Sequence, residues 1–509
     1  MHKCKLLSKE SWKESAGRTK AMADLCKQGD NSLNCTKVVI AFVPGVMGSR
    51  LSFTAGGSWD PDDKSMTGVM SRWYMAGADS ERAQLKFDKG ANVIVGNSGK
   101  KISPPLTPDE SNKGYGGIVW SFYGPFARLL AGTKFGTFQT PVYVFGYDWR
   151  QSNKVSGADL ATRINNAIDA EKTDKVIIVS HSMGGLATRS ALFQNATLSG
   201  RLLGIIHVFQ PATGAVVLYR RFYTGMVQNV DAATSAECTV FGDTADKFAT
   251  IVSGLNGPME LLPNANYVDD VPAGASWKAT WLDYTVPGPP PTPVSLGGSN
   301  IYLVYTMKWP ASLFRCSQHP PGLGGPTTKT AVVPADLALR LDVAEAFHKE
   351  LGAYKHDKTF AIYGSGETTD ARFLQDSSGT NRYADAQQRR SAGDGTVPAT
   401  SASSLFPGQA YTSADICNSS ARQFQVTGVQ HAAAFSDTVV QGITLNLIRR
   451  ILGILCPPSS TGQGASSTGA TGQSGTDASS TTTADNSSPD DSDPNELASA
   501  DDEDGGASA

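Results

Sequence analysis

Val176-Ile177-Ile178-Val179-Ser180-His181-Ser182-Met183-Gly184 joins two kinds of local structure within nine residues. The β-branched run Val176 to Val179 reads as a strand buried on both faces. It stops abruptly, and the small residues Gly184, Gly185 and Ala187 open a helical stretch from Gly184 to Phe193. Strand, sharp turn and helix put Ser182 at the tip of the turn. A serine there has its hydroxyl projecting above the sheet edge, and the backbone N–H that follows points to where an oxyanion would form. Small residues flank such a serine because a Cβ would collide with the neighbouring strand and helix. The usual spacing is G-x-S-x-G, and here Ser180 stands in the first glycine position.

Working outward, the elements on either side alternate. Lys37 to Val43 is a continuous apolar run that ends in the Gly-rich turn Pro44-Gly45-Val46-Met47-Gly48-Ser49. Gly124 to Gly132 reads as a helix packed by Phe126, Leu129 and Leu130. Pro141 to Phe145 is a second strand, and Ala158 to Ala170 carries Leu160, Ile164, Ala167 and Ile168 at helical spacing. Leu203 to Phe209 is the strand after the serine helix. Strand and helix in alternation predict an α/β fold, with a mostly parallel sheet covered by helices on both faces. Further on, Asp336 to Leu351 reads as a helix, and Phe360 to Tyr363 and Phe424 to Thr427 as late strands. A final helix, Ser436 to Leu455, has a broad apolar face that packs on the sheet in preference to a membrane surface.

The predicted domain plan is a lead-in over residues 1–36, one catalytic domain over 37–456 and a tail over 457–509. Residues 51–115 mix Gly, Pro and Asp with isolated aromatics such as Trp59 and Trp73, which reads as an insertion over the sheet edge, outside the core. Residues 213–334 read as a cap, since loops of that length are uncommon inside a compact domain. The tail is Ser, Thr, Gly and Asp, a composition that cannot bury a core.

Composition narrows the function classes. The 509 residues carry a net charge of −3, but the tail holds ten acidic and no basic residues. Setting those ten aside leaves 44 basic against 37 acidic residues, a mildly basic body of about +7. No motif supports nucleic-acid binding. The seven cysteines are too few and too scattered for a disulfide scaffold, and an odd number leaves at least one unpaired. No apolar run is long enough for a transmembrane helix, and no Sec-type signal peptide is visible. The expected location is the cytoplasm, or outside by a route that reads no such signal.

A serine hydroxyl needs a histidine to take its proton, and the histidine needs a carboxylate to fix its tautomer. Where the serine sits on a strand-to-helix turn of this kind, the fold is the α/β-hydrolase fold and the partners follow in the order acid, then histidine. Of the seven histidines, His2 is terminal and His181 is set aside as part of the turn itself. His207 lies in a strand and reads as core packing or a backbone hydrogen bond. His319, His348 and His356 fall in the cap or near a helix. His431 stands just after a late strand, where a base belongs. For the acid, Gly393-Asp394-Gly395 is a tight turn 37 residues before His431. Asp148 is the rival acid; beside Trp149 and Arg150 it reads as half of a structural ion pair.

Four ordered motifs carry a family resemblance: Val43 to Leu51 (VPGVMGSRL), Gly146 to Ser152 (GYDWRQS), Ser180 to Gly185 (SHSMGG) and Gly393 to Pro398 (GDGTVP). Together they resemble the lecithin:cholesterol acyltransferase family, over roughly residues 37–450. The resemblance implies Ser182 as nucleophile, Asp394 as acid and His431 as base. It also implies an oxyanion hole from the N–H groups of Val46 and Met183, and a lid containing Trp73 that meets the acyl chain. The family's animal members carry a lid disulfide, whereas residues 50–115 here contain no cysteine.

The implied activity is lipid acyl-ester hydrolysis or O-acyl transfer through an acyl-enzyme. The substrate would be a phospholipid or other lipid ester met in transient contact with a membrane surface. No metal-ligand spacing is visible and the mechanism needs no cofactor. Two other readings remain open, a soluble carboxylesterase for small or polymeric esters and a catalytically silent hydrolase-fold binding protein.

Overall fold

A computed structural model describes residues 36–54, 56–63, 85, 90–94, 102–224, 248, 251–268, 282–286, 292–295, 337–375 and 390–455. At its centre lie six strands: β1 (Val39–Val43), β2 (Val142–Val144), β3 (Val176–His181), β4 (Leu202–Val208), β5 (Thr359–Ser365) and β6 (Gln423–Thr427). Their order across the sheet is β6-β5-β4-β3-β1-β2, and every neighbouring pair is parallel. This is the α/β-hydrolase fold. The helices that position the site are α1 (Trp120–Gly132), α2 (Asn153–Ala170), α3 (Met183–Gln194), α4 (Val216–Thr224), α5 (Leu337–Leu351) and α6 (Thr438–Ile451).

Side chains alternate between the two faces of a strand, so one apolar run feeds two cores. Val39, Ala41 and Val43 of β1 join Leu160 and Ile164 of α2 and Ala187 of α3 on one face. Ile40 and Phe42 join Phe126 and Leu130 of α1 and Ile443 and Leu447 of α6 on the other. The last helix therefore packs on the sheet. On α1, however, Leu129 is 40% exposed, because it lies off the stripe set by Phe126 and Leu130.

The chain runs from β1 outward to β2, then returns past β1 to β3 and continues toward the opposite edge. Loops leaving β1 and β3 thus diverge, and a crevice opens above their carboxyl ends, the usual place for a ligand in an open parallel sheet. Both Gly-rich turns of the sequence, after β1 and after β3, lie at this switch point.

The region read as an insertion begins with a small antiparallel sheet of Leu51–Phe53 between Ser58–Trp59 and Ala91–Val93. Contrary to the expectation that its aromatics lie outside the core, Trp59 is 1% exposed. Its indole sits edge-on to Trp149 with ring centres 5.6 Å apart and donates to the Met47 carbonyl at 2.9 Å. Below it Arg50 and Asp60 form a buried ion pair at 2.7 Å. The base of the insertion is anchored to the turn after β1 by these contacts. In the region read as a cap, Leu282–Val286 pairs with Thr292–Ser295 and with Phe373–Gln375.

All described residues belong to one unit spanning residues 1–459, and the tail from 457 lies outside them. Cys417 is disulfide-bonded. Among the described residues no helix is long and apolar enough to cross a membrane.

Candidate active site

Ser182 takes φ 51° and ψ −129°, a conformation that costs a non-glycine residue about 1–3 kcal/mol and persists only where its surroundings enforce it. They do. The Ser182 N–H donates to Val208 at the end of β4 at 3.0 Å, and its carbonyl accepts from Gly185 at 2.9 Å. The close packing explains the small residues of the motif. A Cβ on Gly184 would lie 2.2 Å from the Pro44 carbonyl oxygen, and one on Gly45 would lie 2.9 Å from the Ser182 Cβ. Ser180 is tolerated in place of glycine because its hydroxyl meets the His207 Nδ1 at 2.8 Å within the sheet. His207 is packed in the core as one of its two expected readings has it, and its hydrogen bond is to a side chain because Ser180 and His207 are register partners on β3 and β4.

His431 follows β6 and turns back over the sheet. Its Nε2 lies 2.8 Å from the Ser182 hydroxyl and its Nδ1 lies 2.8 Å from Asp394 Oδ2. The loop is pinned by its own backbone, since the His431 N–H donates to the Asp394 carbonyl at 2.8 Å. Asp394 is buried, and its other oxygen accepts from the backbone N–H groups of Thr396 and Val397 at 2.9 and 2.7 Å. Gly364 lets this turn approach β5, because a Cβ there would sit 2.6 Å from that of Asp394. A serine, an imidazole and a carboxylate are thereby connected in one line of hydrogen bonds. That geometry activates a hydroxyl for attack on a carbonyl.

The three open into a cavity of about 690 Å³. Val46, at the turn after β1, lines it too. Met183 is the first residue of α3, so its N–H is one of the unsatisfied donors of a helix start. Among the described residues neither the Val46 nor the Met183 N–H donates to another backbone carbonyl outside regular elements. Trp73 lies outside the described residues. The lining is mixed, with apolar Val119, Phe122, Val217, Leu218 and Leu261 and charged Arg220, Arg221, Glu367 and Asp370. Arg220 pairs with Asp370 at 2.5 Å, both nearly buried.

Asp148, the rival acid, faces Arg150 at 2.7 Å and takes no part in this line. His348 is half-buried, bonded to the Glu260 carbonyl at 2.8 Å, and burial pulls it down to about 4. His207 is held down at about 3, by burial first and by Arg189 second. His181 is a further residue of the site, one that its place in the turn does not by itself mark as functional. It is buried between the turn after β1 and the base loop, and burial, aided by the nearby His431 ring, holds it well below the ordinary histidine range. Its place directly before Ser182 was the available signal. Tyr123, which it contacts at 2.8 Å, had none. Among the described residues no cluster of side chains is arranged to hold a metal ion.

Residues 132–279 match the model of the lecithin:cholesterol acyltransferase family. A 72-residue stretch is 40% identical to the uncharacterized protein YJR098C of Saccharomyces cerevisiae, spanning 14% of this chain and only 10% of that protein. Among solved structures, a chain of the Tle4–Tli4 complex superposes with a TM-score of 0.59 at 20% identity, covering 82% of this chain and 98% of that one. At that identity the likeness speaks for the fold. The mature form of the Bacillus licheniformis lipase BlEst2 aligns over 84% of this chain and 95% of its own, at 12% identity and a TM-score of 0.28.

Proposed function

We propose that this α/β-hydrolase, whose residues 132–279 match the lecithin:cholesterol acyltransferase family, cleaves the acyl ester of a phospholipid and passes the acyl group to water or to an alcohol. The reading rests on one observation, the His431 imidazole within 2.8 Å of both the Ser182 hydroxyl and the Asp394 carboxylate.

In the first half-reaction Ser182 Oγ attacks the ester carbonyl while His431 Nε2 takes its proton. Asp394 holds the ring in the tautomer with hydrogen on Nδ1 and stabilises the imidazolium that forms. The tetrahedral oxyanion is met by the N–H groups of Met183 and Val46, each donor of this kind being worth about 3–4 kcal/mol. His431 then protonates the leaving alcohol, and the acyl chain stays on Ser182 as an ester. In the second half the same imidazole deprotonates the acceptor. The mixed lining suits an amphiphile, offering apolar side chains to an acyl chain and charged ones, the Arg220–Asp370 pair among them, to a polar head. Its volume of about 690 Å³ is that of a small-molecule site.

Labelling with a fluorophosphonate tests the nucleophile. The native protein should react, and Ser182→Ala should not. Incubation with mixed phospholipid vesicles and a long-chain alcohol, followed by mass spectrometry, tests the substrate. Lysophospholipid with fatty acid or fatty ester is expected. Turnover of short soluble esters alone, with vesicles untouched, would favour a soluble carboxylesterase.

A further inference from the structure

The reacting groups come from segments far apart in sequence. The oxyanion turn follows β1, the serine follows β3 and the imidazole follows β6. Something must fix the turn against the base loop, and a continuous path of hydrogen bonds runs between them. The Gly45 N–H donates to the Tyr123 hydroxyl at 3.2 Å. That hydroxyl lies 2.8 Å from His181 Nδ1, and His181 Nε2 lies 3.2 Å from the His431 carbonyl oxygen.

The direction of each bond follows from chemistry. A carbonyl oxygen only accepts, so His181 Nε2 carries the hydrogen. A neutral ring then leaves Nδ1 as an acceptor, so the Tyr123 hydroxyl donates to it and uses a lone pair for Gly45. Every group on the path is satisfied in one arrangement. We propose that Tyr123 and His181 are positioning residues that tie the Pro44–Gly48 turn to the loop bearing His431, setting the separation of the Val46 N–H and the base around Ser182; this rests on the hydrolytic reading above.

Two further observations support it. The turn has no slack, since a Cβ on Gly45 would come within 3.2 Å of His181 Nδ1. The His181 and His431 rings lie with centres 4.9 Å apart, and burial keeps His181 neutral. A neutral neighbour is the one compatible with His431 becoming positive when it accepts the serine proton. Aromatic packing alone is the competing explanation. Tyr123 lies 5.5 Å from Phe42 and 6.2 Å from Phe435, centre to centre, and Tyr123→Phe preserves those contacts while removing the path.

The experiment measures kcat and KM on a soluble nitrophenyl ester, the fluorophosphonate labelling rate and Tm. It uses the full chain and Tyr123→Phe, His181→Gln, His181→Leu and Ser182→Ala. Misplacement of reacting groups by a fraction of an ångström to an ångström costs about 10- to 100-fold. Tyr123→Phe should therefore lower kcat and the labelling rate by about that factor, with KM within about twofold and Tm little changed. His181→Gln places an amide donor where Nε2 stood and should recover part of the activity lost in His181→Leu. Native kcat in both Tyr123→Phe and His181→Leu, with Ser182→Ala inert, would overturn the inference and leave the hydrolytic reading standing. Rates that fall only in step with Tm would also overturn it. An active Ser182→Ala would remove the reading itself.

Discussion

Asp148 and Asp394 stand in similar turns. Each comes shortly after a strand, each has a glycine nearby, and each lays one carboxylate oxygen on the N–H two residues further on, at 3.2 Å for Arg150 and 2.9 Å for Thr396. They differ in what takes the other oxygen. Asp148 is closed off by its own turn, with the Arg150 guanidinium on Oδ1 at 2.8 Å and on Oδ2 at 2.7 Å. That guanidinium is fully buried, lies over the Phe53 ring at 4.9 Å and reaches the Leu85 carbonyl, so the pair ties the sheet to the insertion. Asp394 spends one oxygen on backbone donors and keeps the second for an imidazole 37 residues away. A carboxylate neutralised within its own turn builds structure. One satisfied only by neutral N–H groups keeps its charge available to orient a base.

The largest effect that would break this contrast is on rate. Asp394→Asn keeps an oxygen for Thr396 and Val397 but loses the charge facing His431, so kcat should fall on the order of 10⁴-fold with folding retained. Circular dichroism and fluorophosphonate labelling read the two separately. Asp148→Asn should do the reverse, costing about 3 kcal/mol in urea unfolding by leaving a buried guanidinium without its counter-charge. Labelling per folded molecule should persist; a stable, unlabelled Asp148→Asn would exchange the two roles.

Next comes pH. His207 is held near 3 by burial, below the ordinary histidine value, so the unfolded chain binds a proton between pH 6.5 and about 3 that the folded chain does not. Its contribution is fully present above pH 6.5 and is lost as pH falls, by about 2 kcal/mol at pH 5. Urea midpoints of the native protein and His207→Gln across pH 7 to 5 should converge at the acid end. Smallest is Ser180→Gly, which restores the usual motif glycine but removes the partner of His207 Nδ1. It should cost about 1 kcal/mol of stability and leave labelling close to native.

Much of this was legible because it is local. The β-branched run before Ser182, the small residues after it and the Gly-Asp-Gly turn each declare their conformation within a few residues. The Asp148–Arg150 pair could be read for the same reason, both partners lying in one turn. The misreadings concern residues whose partners are remote. Trp59 looked like a surface aromatic because its neighbours are Gly, Ser and Asp, yet its core is made by Trp149 and the turn after β1. Leu129 reads as part of the apolar face of α1 but lies off its buried stripe and is 40% exposed. His181 reads as part of the turn, although its ring bridges Tyr123 and the base loop.

The sequence by itself determined the alternation of strand and helix, the strained serine turn and the chemical types of the candidate residues. These follow from periodicity and steric limits that act within one turn or one strand. Order along the chain also singled out His431 and Asp394; only the tertiary structure decided at what distances they meet the serine, how Asp394 divides its oxygens, and which residues lock the turn after β1 to the loop after β6. Such geometry depends on distances across a folded sheet, which local patterns along the chain do not set until the strands are in order.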